Sequence, residues 1–298
     1  MKFVLDFKTP QLSDKAWVSA IMRESGELAC EYCFGNLYMW CTVYGNTIAR
    51  YGDLFLARDG TEKPAYLFPC GKGDKKQAIL ELKEAAKADG SPLTLYCLTP
   101  KKVRELDCLF PGEFEFQPTR EYFDYIYNTQ DLIDLAGRRY HGKRNHIAYF
   151  KKTFDWHYEP LTERNMADCL AMNEKWEQRN REKNPEDIDN ELVAIHRAFD
   201  NYFDLEFTGG VLYAAGEIVA YTFGEPLNDT AFCTHVEKAF ADVRGAYPAI
   251  NREFAANALS GFHFVNREED AGSEGLRRAK ESYYPVVLLP KYTAVCKE

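Results

Sequence analysis

The hydrophobic positions of this chain follow the same order of strand-like and helix-like spacings twice. In the first block, an apolar run at 65–69 enters a glycine loop, and the next helix repeats its apolar side chains every three to four residues. The remaining elements of this block are predicted as a strand, a short helix and two alternating strands (93–98, 100–109, 113–117 and 122–127).

The second block repeats that order from the strand 231–240 onwards. A loop at 242–247 follows, and Pro248 stands where the first turn of a helix tolerates proline. The strand 262–266, a charged helix and a last strand at 286–295 complete the block. Because the elements match in order and in length, the pattern predicts a structural duplication, although the side chains differ.

The predicted fold class is α+β, with helices on a mainly antiparallel sheet in each half. A chain of 298 residues has room for two domains, which we place at 1–137 and 138–298, with the active cleft in the second. Two helices and a hairpin near Gly216 are predicted ahead of the second block.

Composition narrows the classes of function. A net charge of −9 argues against a general nucleic-acid coat protein, while 46% hydrophobic residues suffice for real cores. Polar residues interrupt the N-terminal apolar stretch, and other apolar runs are only of strand length, so we expect a cytoplasmic protein without an integral membrane segment. Nine scattered cysteines suit a reducing compartment, and the lone pair Cys30 and Cys33 is expected to be buried, with no metal site.

The segment 266–285, NREEDAGSEGLRRAKESYYP, carries many charges between two apolar runs. Its three carboxylates, Glu268, Glu269 and Asp270, precede a turn at which Ser273 can cap a helix. The acids therefore lie near the positive end of that helix. We expect them to form one wall of a cleft in the second domain.

The helix after these acids is predicted to have one polar stripe. Helical spacing brings Arg277, Lys280 and Tyr284 onto this stripe. Leu276 and Ala279 are then expected on the opposite, buried side. A solvated helix with surface ion pairs is the simpler interpretation of the same pattern.

A second candidate is the basic segment 138–152, which holds six Lys/Arg and no acid. Its cations can hold phosphates while its aromatic residues stack on bases or sugars. We predict anion or acceptor binding by His141, Lys143, Arg144 and Asn145, and we expect Arg144→Ala to cost about 1.5–3 kcal/mol of binding but little stability. In the structural alternative, the segment buries the seam between the two halves and Arg144 is paired there.

Four stretches together resemble a known family: CEYCFGNLYMW (30–40), RRYHGKRNHIAYFKKTF (138–154), THVEKAFADVRGAYPAINREF (234–254) and the charged segment 266–285. They resemble a bacterial family grouped with the C-terminal domain of phosphatidylglycerol lysyltransferase, which is also similar to Fem-type peptidoglycan aminoacyltransferases. The resemblance implies two tandem domains of the GCN5-related N-acetyltransferase (GNAT) fold, packed together.

In the GNAT fold, the turn between a strand and the next helix holds the donor's pyrophosphate with backbone N–H groups. The resemblance implies such a role for Arg244, Gly245, Ala246 and Tyr247. Arg277 and Lys280 of the charged segment 266–285 complete the predicted donor-binding set. Neither half fully matches the usual pattern Q/R-x-x-G-x-G/A, which favours aminoacyl-tRNA over acyl-CoA as the donor.

Acyl transfer needs a base for the acceptor and stabilisation of the oxyanion. His235 and Glu237 alternate on one predicted face of the strand 231–240, so either could be the base. A neutral His235 satisfied within the sheet is the structural alternative. Tyr283 or Tyr284 could protonate the leaving group, and Glu269 completes the predicted catalytic set.

The leading hypothesis is an acyltransferase that moves an aminoacyl group from aminoacyl-tRNA to an amine or hydroxyl acceptor. The acceptor would be a small molecule or a lipid headgroup, tRNA a possible partner, and no cofactor tightly bound. One alternative is an acyl-CoA-dependent N-acyltransferase, which the acidic pI of about 5.3 favours. Another is a binding protein that kept the cleft and lost the chemistry.

Overall fold

The computed structural model describes residues 5–60, 62–181 and 185–297, without the side chains of 185–187. Within these residues the chain forms ten α-helices and two mixed sheets, which confirms the α+β class. The first residues of the chain, on which the expectation about the N-terminus partly rests, lie outside the described part.

The helices begin and end close to where capping residues predict. Asp74 accepts a hydrogen bond from the Gln77 N–H at the start of the third helix, and Pro100 opens the fourth. The helices are α1 (Lys15–Ser25), α2 (Phe34–Tyr44), α3 (Lys75–Ala88), α4 (Pro100–Leu109), α5 (Thr129–Asp134), α6 (His141–Thr153), α7 (Glu163–Asn180), α8 (Pro185–Asp200), α9 (Ala246–Ala258) and α10 (Glu274–Glu281).

The strands also follow the predicted order within each half. They are β1 (Thr47–Tyr51), β2 (Leu54–Arg58), β3 (Ala65–Leu67), β4 (Cys70–Gly71), β5 (Thr94–Leu98), β6 (Phe114–Pro118), β7 (Asp124–Asn128), β8 (Trp156–Pro160), β9 (Thr208–Ala214), β10 (Glu217–Pro226), β11 (Ala231–Ala239), β12 (Phe264–Asn266), β13 (Val287–Leu289) and β14 (Tyr292–Cys296).

Each half of the molecule is organised around one sheet. The first sheet has the order β1-β2-β3-β5-β14-β6, with β4 paired to β2, and the second has the order β13-β7-β12-β11-β10-β9-β8. Among the described strands, the pairs β3–β5 and β11–β12 are parallel and the other pairs are antiparallel. In each half the parallel pair flanks a helical crossover, by α3 in the first and by α9 in the second, as the duplicated pattern predicts.

The two halves exchange strands, which the sequence pattern did not predict. The stretch 286–295, expected as one strand, is two strands in different sheets: β13 pairs with β7, and β14 pairs with β5 and β6. Pro290, which has no N–H, separates them. Because β7 belongs to the second sheet and β14 to the first, the boundary placed after residue 137 does not follow the division between the sheets.

The core is continuous across the two halves. One buried cluster includes Met22 and Tyr38 from the first half and Phe199 and Phe223 from the second. Helix α2 packs against α8 at this seam, and Gly35 allows the close approach, because a Cβ there would collide with Phe207 and Glu225. The residues that follow Cys30 and Cys33 are thus held directly beside the second sheet.

Candidate active site between two strands

A gap opens in the middle of the second sheet where β11 and β12 separate. Their parallel pairing covers Ala231–Cys233 and Phe264–Asn266 and then stops. Beyond it β11 continues to Ala239, whereas the chain after Asn266 turns away through 267–270. Two separating strands leave backbone and side chains free to reach a ligand between them.

A β-bulge lies on β11 at the start of this gap. Val236 pairs with Phe223 and Thr234 pairs with Gly224, so His235 is the extra residue. The bulge interrupts the alternation of side chains between the two faces of β11. His235 therefore lies beside Cys33 at the start of α2, whereas Glu237 bonds Asn251 of α9. The expectation that both residues share one face was therefore wrong.

On the α9 side of the gap, an ion pair joins the two separating chains. Arg267 Nη2 donates to Glu237 Oε1 at 2.8 Å, and Asn251 Nδ2 donates to Glu237 Oε2 at 2.9 Å. The guanidinium also lies over the ring of Tyr283, 4.8 Å from its centroid. Among the described residues, Arg267 Nη1 and Asn251 Oδ1 are buried without a hydrogen-bond partner. Arg267 thus has an unused donor, and Asn251 an unused acceptor, next to the carboxylate of Glu237.

Lys143 of α6 completes this side of the gap. Its Nζ lies 3.8 Å from the Tyr283 ring centroid. Burial and the charge of Arg267 lower the pKa of Lys143 to about 8. Burial raises the pKa of Tyr283, so its hydroxyl stays protonated at neutral pH. Of the residues selected from the sequence, Lys143, Glu237 and Tyr283 are therefore brought together.

Sequence reasoning missed Arg267 and Asn251, which both bond Glu237, with Arg267 also lying over the Tyr283 ring. Both had a local signal. Arg267 is the first residue after a predicted strand, directly before the three acids, and Asn251 is a polar residue on the face of α9 that carries buried Phe254 and Ala255. Isolated polar residues on buried faces need partners, which makes them candidates for sites.

On the α2 side of the gap, His235 is held between two carboxylates. Its Nδ1 lies 2.8 Å from Glu268 Oε1 and its Nε2 lies 3.1 Å from Glu225 Oε1, with a side-chain exposure of 0%. Burial opposes a charge on the ring, but Cys233 and the two carboxylates outweigh it and raise the pKa of His235 well above its ordinary value. A ring that already holds its proton at neutral pH is unsuited to act as a general base.

Next to this histidine, a second buried cluster surrounds Lys291. Its Nζ donates to Asp124 Oδ1 at 2.8 Å, to Glu31 Oε1 at 2.6 Å and to Cys30 Sγ at 3.3 Å. Glu269 lies 3.6 Å from the same thiol, and burial together with the charge of Glu268 raises the pKa of Glu269 to about 7. Cys30 and Cys33 are both buried, which confirms that expectation.

The charged helix α10 has the opposite orientation to the one expected. Ser273 caps it as predicted, by accepting from the Leu276 N–H. Lys280, however, is buried and donates to the backbone carbonyls of Arg267 and Glu269, while Leu276 is 41% exposed and Ala279 is also exposed. The two carbonyls of this acidic loop place Lys280, rather than the small apolar side chains, on the inner face of the helix, because a buried carbonyl needs a donor.

Arg277 belongs to an ion network rather than to the gap. It donates twice to Asp270, at 3.0 Å each, and Arg120 and Tyr125 donate to the same carboxylate at 2.8 and 2.6 Å. Although burial raises it, these hydrogen bonds hold the pKa of Asp270 well below its usual range. The donor-binding role expected for Arg277 has no support in these contacts.

The turn expected to hold a donor's pyrophosphate is packed against other helices. Gly245 has a φ of 92°, and a Cβ there would collide with the His146 carbonyl of α6. Arg244 lies 4.4 Å from the ring centroid of Tyr149, Ala246 is fully buried, and Tyr247 accepts from Trp176 of α7. In the first half, Gly71 and Gly73 pack instead against Asp53 and Leu54, at the turn into β2.

The remaining predicted residues lie at the edge of the gap or away from it. His141 and Asn145 bond each other at 3.0 Å on the exposed side of α6. Tyr284 is exposed and meets Tyr140 edge-on, with 5.5 Å between ring centroids. Arg144 donates to the carbonyls of Leu135 and Gly137 after α5, the latter at 2.7 Å. Arg144 thus satisfies carbonyls at the end of α5.

Arg144→Ala is accordingly expected to destabilise the fold, by about 1–2 kcal/mol, because two backbone carbonyls lose a charged donor. Arg138→Ala, an exposed cation of the same basic segment, serves as the control and should change the free energy of unfolding by less than about 0.5 kcal/mol. Chemical denaturation of both variants measures this. Equal stability with weakened ligand binding would instead restore the anion-binding role.

The fold is shared with known proteins. The tandem arrangement is shared with a tandem GNAT protein from the clavulanic acid biosynthesis pathway (TM-score 0.51, 10% identity, 99% of each chain) and with FemX (TM-score 0.52, 10% identity, 97% of each chain). The molecule therefore has the two-domain GNAT-like fold, as predicted.

The family can be stated more narrowly. The family described as "Phosphatidylglycerol lysyltransferase, C-terminal" matches residues 23–295, and the chain belongs to it. A conserved protein of unknown function from Bacteroides thetaiotaomicron is 37% identical over 99% of this chain and 100% of its own, with a TM-score of 0.94. L-PGS from Bacillus licheniformis has a TM-score of 0.69 at 17% identity, over 96% of this chain and 92% of its own.

No curated protein matches the chain. The description of the family supports acyl transfer as the general chemistry. Within the described residues, every helix is too short or too polar to cross a bilayer.

Proposed function

We propose that this protein transfers an aminoacyl group from an aminoacyl-tRNA to an amine or hydroxyl acceptor, in the gap between β11 and the segment 267–270. One observation carries the proposal: the ion pair between Arg267 and Glu237 crosses the gap and leaves Arg267 Nη1 without a partner, beside Lys143. A buried cationic donor at this point can stabilise the oxyanion that forms when the acyl carbonyl is attacked.

The reaction forms a bond between the acceptor nitrogen or oxygen and the acyl carbon, and breaks the ester bond to the tRNA ribose. Glu237 takes the proton of the acceptor, and Tyr283 gives a proton to the leaving ribose oxygen. Arg267 and Lys143 hold the carbonyl oxygen while it is negative. Because His235 is already protonated, it is not assigned the role of base.

Two observations support aminoacyl-tRNA rather than acyl-CoA as the donor. Helix α6 packs against Gly245, at the turn where a CoA pyrophosphate would be held, so this turn is not open on that side. The family that contains this chain is described as a lysyltransferase, and an L-PGS is among its structural relatives. The proposed acceptor is a lipid headgroup or a small molecule with an amine or hydroxyl, and the description of the family supports the first of these.

The test compares donors in binding and in turnover. Melting temperature should rise with a stable 3′-aminoacylamino-adenosine, which imitates the end of a charged tRNA, and should not respond to adenosine or to CoA. A tRNA pool charged with labelled amino acids should then transfer label to phosphatidylglycerol vesicles or to small amines, which separates the two acceptor sources. Glu237→Gln should lose transfer, whereas Glu159→Gln, an exposed carboxylate on β8, should keep it.

Other outcomes select other functions. A rise in melting temperature with CoA, together with release of free thiol from acetyl-CoA, would favour the acyl-CoA-dependent enzyme. A response to neither donor would favour a binding protein without transfer activity. Either result would contradict the proposed donor.

A further inference from the structure

A cluster of two thiols, an imidazole and a carboxylate lies on the α2 side of the gap, away from the groups assigned to transfer. The thiols of Cys33 and Cys233 and a ring nitrogen of His235 all lie within 4.8 Å of one another. His235 Nε2 is 4.0 Å from Cys33 Sγ and 3.1 Å from Glu225 Oε1. Cys33 comes from the first half of the chain and the other three residues from the second.

We propose that Cys33, Cys233, His235 and Glu225 bind one Zn²⁺ ion at the seam between the two halves. Zn²⁺ prefers four ligands of this kind in a tetrahedron, with ligand atoms about 3.5–4 Å apart. Two thiolates and an imidazole select zinc over the hard cations Mg²⁺ and Ca²⁺, which prefer oxygen ligands.

The surroundings of His235 fit a metal ligand. Its other nitrogen, Nδ1, bonds Glu268 Oε1 at 2.8 Å, and Asn36 Nδ2 holds the same oxygen at 2.9 Å. A carboxylate that receives the second N–H of a ligand histidine fixes the ring and makes it more basic. Once the ion replaces the ring proton on Nε2, the bond to Glu268 sets the required tautomer.

The site also has a route of entry. A small pocket of about 10 Å³, partly open to solvent, is lined by Cys33 and Glu225 together with Arg23, Tyr32 and Pro226. Two of the four ligands therefore face a pocket from which an ion can arrive. The remaining two, Cys233 and His235, lie behind them at the bulge of β11.

The neighbouring group of Cys30, Asp124 and Glu269 has similar spacing but different chemistry. There the ammonium of Lys291 lies 2.8 Å from Asp124 and 3.3 Å from Cys30, so a cation already neutralises those acids. No lysine bonds the four proposed zinc ligands among the described residues. This difference assigns the ion to the cluster at His235.

Zinc binding is tested on the full chain after removal of metals by a chelator. We expect one equivalent of Zn²⁺ to bind and to raise the melting temperature, because the ion joins the two halves. Co²⁺ in its place should give the thiolate-to-metal charge-transfer band and the ligand-field bands of a tetrahedral thiolate site. Neither readout depends on transfer activity, so failure of the proposed function leaves this test intact.

Single substitutions identify the ligands. Cys33→Ser and Cys233→Ser should each remove about half of the charge-transfer intensity and weaken Zn²⁺ binding by about 100-fold or more. Cys41→Ser changes another buried thiol of α2, whose Sγ bonds the Tyr38 carbonyl, and should leave binding unchanged. His235→Gln gives a further variant if a serine variant does not fold. Less than one equivalent bound, or full binding by both serine variants, would overturn the proposal.

Discussion

Lys143→Gln is expected to lower the rate of acyl transfer by about 100-fold or more, while the melting temperature changes little. The ammonium lies over the Tyr283 ring beside the unpartnered nitrogen of Arg267, where the charge of an oxyanion would develop. Removing one preorganised donor from an oxyanion site costs roughly 10²–10³ in rate. Labelled transfer from charged tRNA measures the loss, and Lys152→Gln, an exposed lysine on the same helix, is the control.

The pH dependence distinguishes two roles for Lys143. Its pKa is lowered to about 8, so the side chain loses its charge as pH rises through that value. If the charge stabilises the oxyanion, the rate falls above pH 8, and Lys143→Arg, which stays charged, keeps its rate to higher pH. A rate that instead rises through pH 8 in the unmodified protein, and is lost in both variants, would make Lys143 the general base.

Lys291→Met is expected to destabilise the protein by about 3–5 kcal/mol, because it leaves Asp124 buried with its charge uncompensated. Both side chains have 0% exposure, and Lys291 also bonds Glu31 and Cys30. After the substitution, the backbone N–H of Cys30 and the amide of Asn266 remain as donors to Asp124. Chemical denaturation measures the change in the free energy of unfolding.

Two further variants test the cause of that destabilisation. Lys297→Met changes an exposed lysine just after β14, the strand that Lys291 precedes, and should cost less than about 0.5 kcal/mol. Adding Asp124→Asn to Lys291→Met should recover part of the loss, since the uncompensated charge is then removed. If the double variant is as unstable as the sum of the single ones, packing rather than charge explains the effect.

The strand exchange explains why Lys291 is expected to matter so much. It follows Pro290, between β13 in the second sheet and β14 in the first. Its partners Glu31 and Asp124 come from the segment before α2 and from the start of β7. One ammonium therefore ties together the chain segments that pass between the two sheets.

The sequence by itself determined the local elements and much of their order. Some structural signals involve only a few neighbouring residues and can therefore be predicted from the sequence alone. Examples are the helical spacing of α3, the cap by Ser273 and the position of Pro100. The duplication could also be predicted from the sequence, because the order and lengths of the helices and strands are kept when the side chains change. The resemblance of four segments added the fold and the family.

Only the tertiary structure decided which elements meet. The partner of a strand is chosen by non-local pairing, so one apolar run at 286–295 served both sheets. The bulge at His235 depends on the register against β10, and it separated two residues that alternation had placed together. Burial of Lys280 depends on carbonyls that the acidic loop presents to it.

The candidate site illustrates the same division. Lys143, Glu237 and Tyr283 were selected one by one for their chemistry, and each lies far from the others along the chain. Arg267 joins Glu237 to Tyr283 because β11 and β12 separate at Cys233, a property of the sheet as a whole. Residue type and local spacing were enough to predict these side chains as candidates. The distances between them depend on how the two halves pack around a shared core.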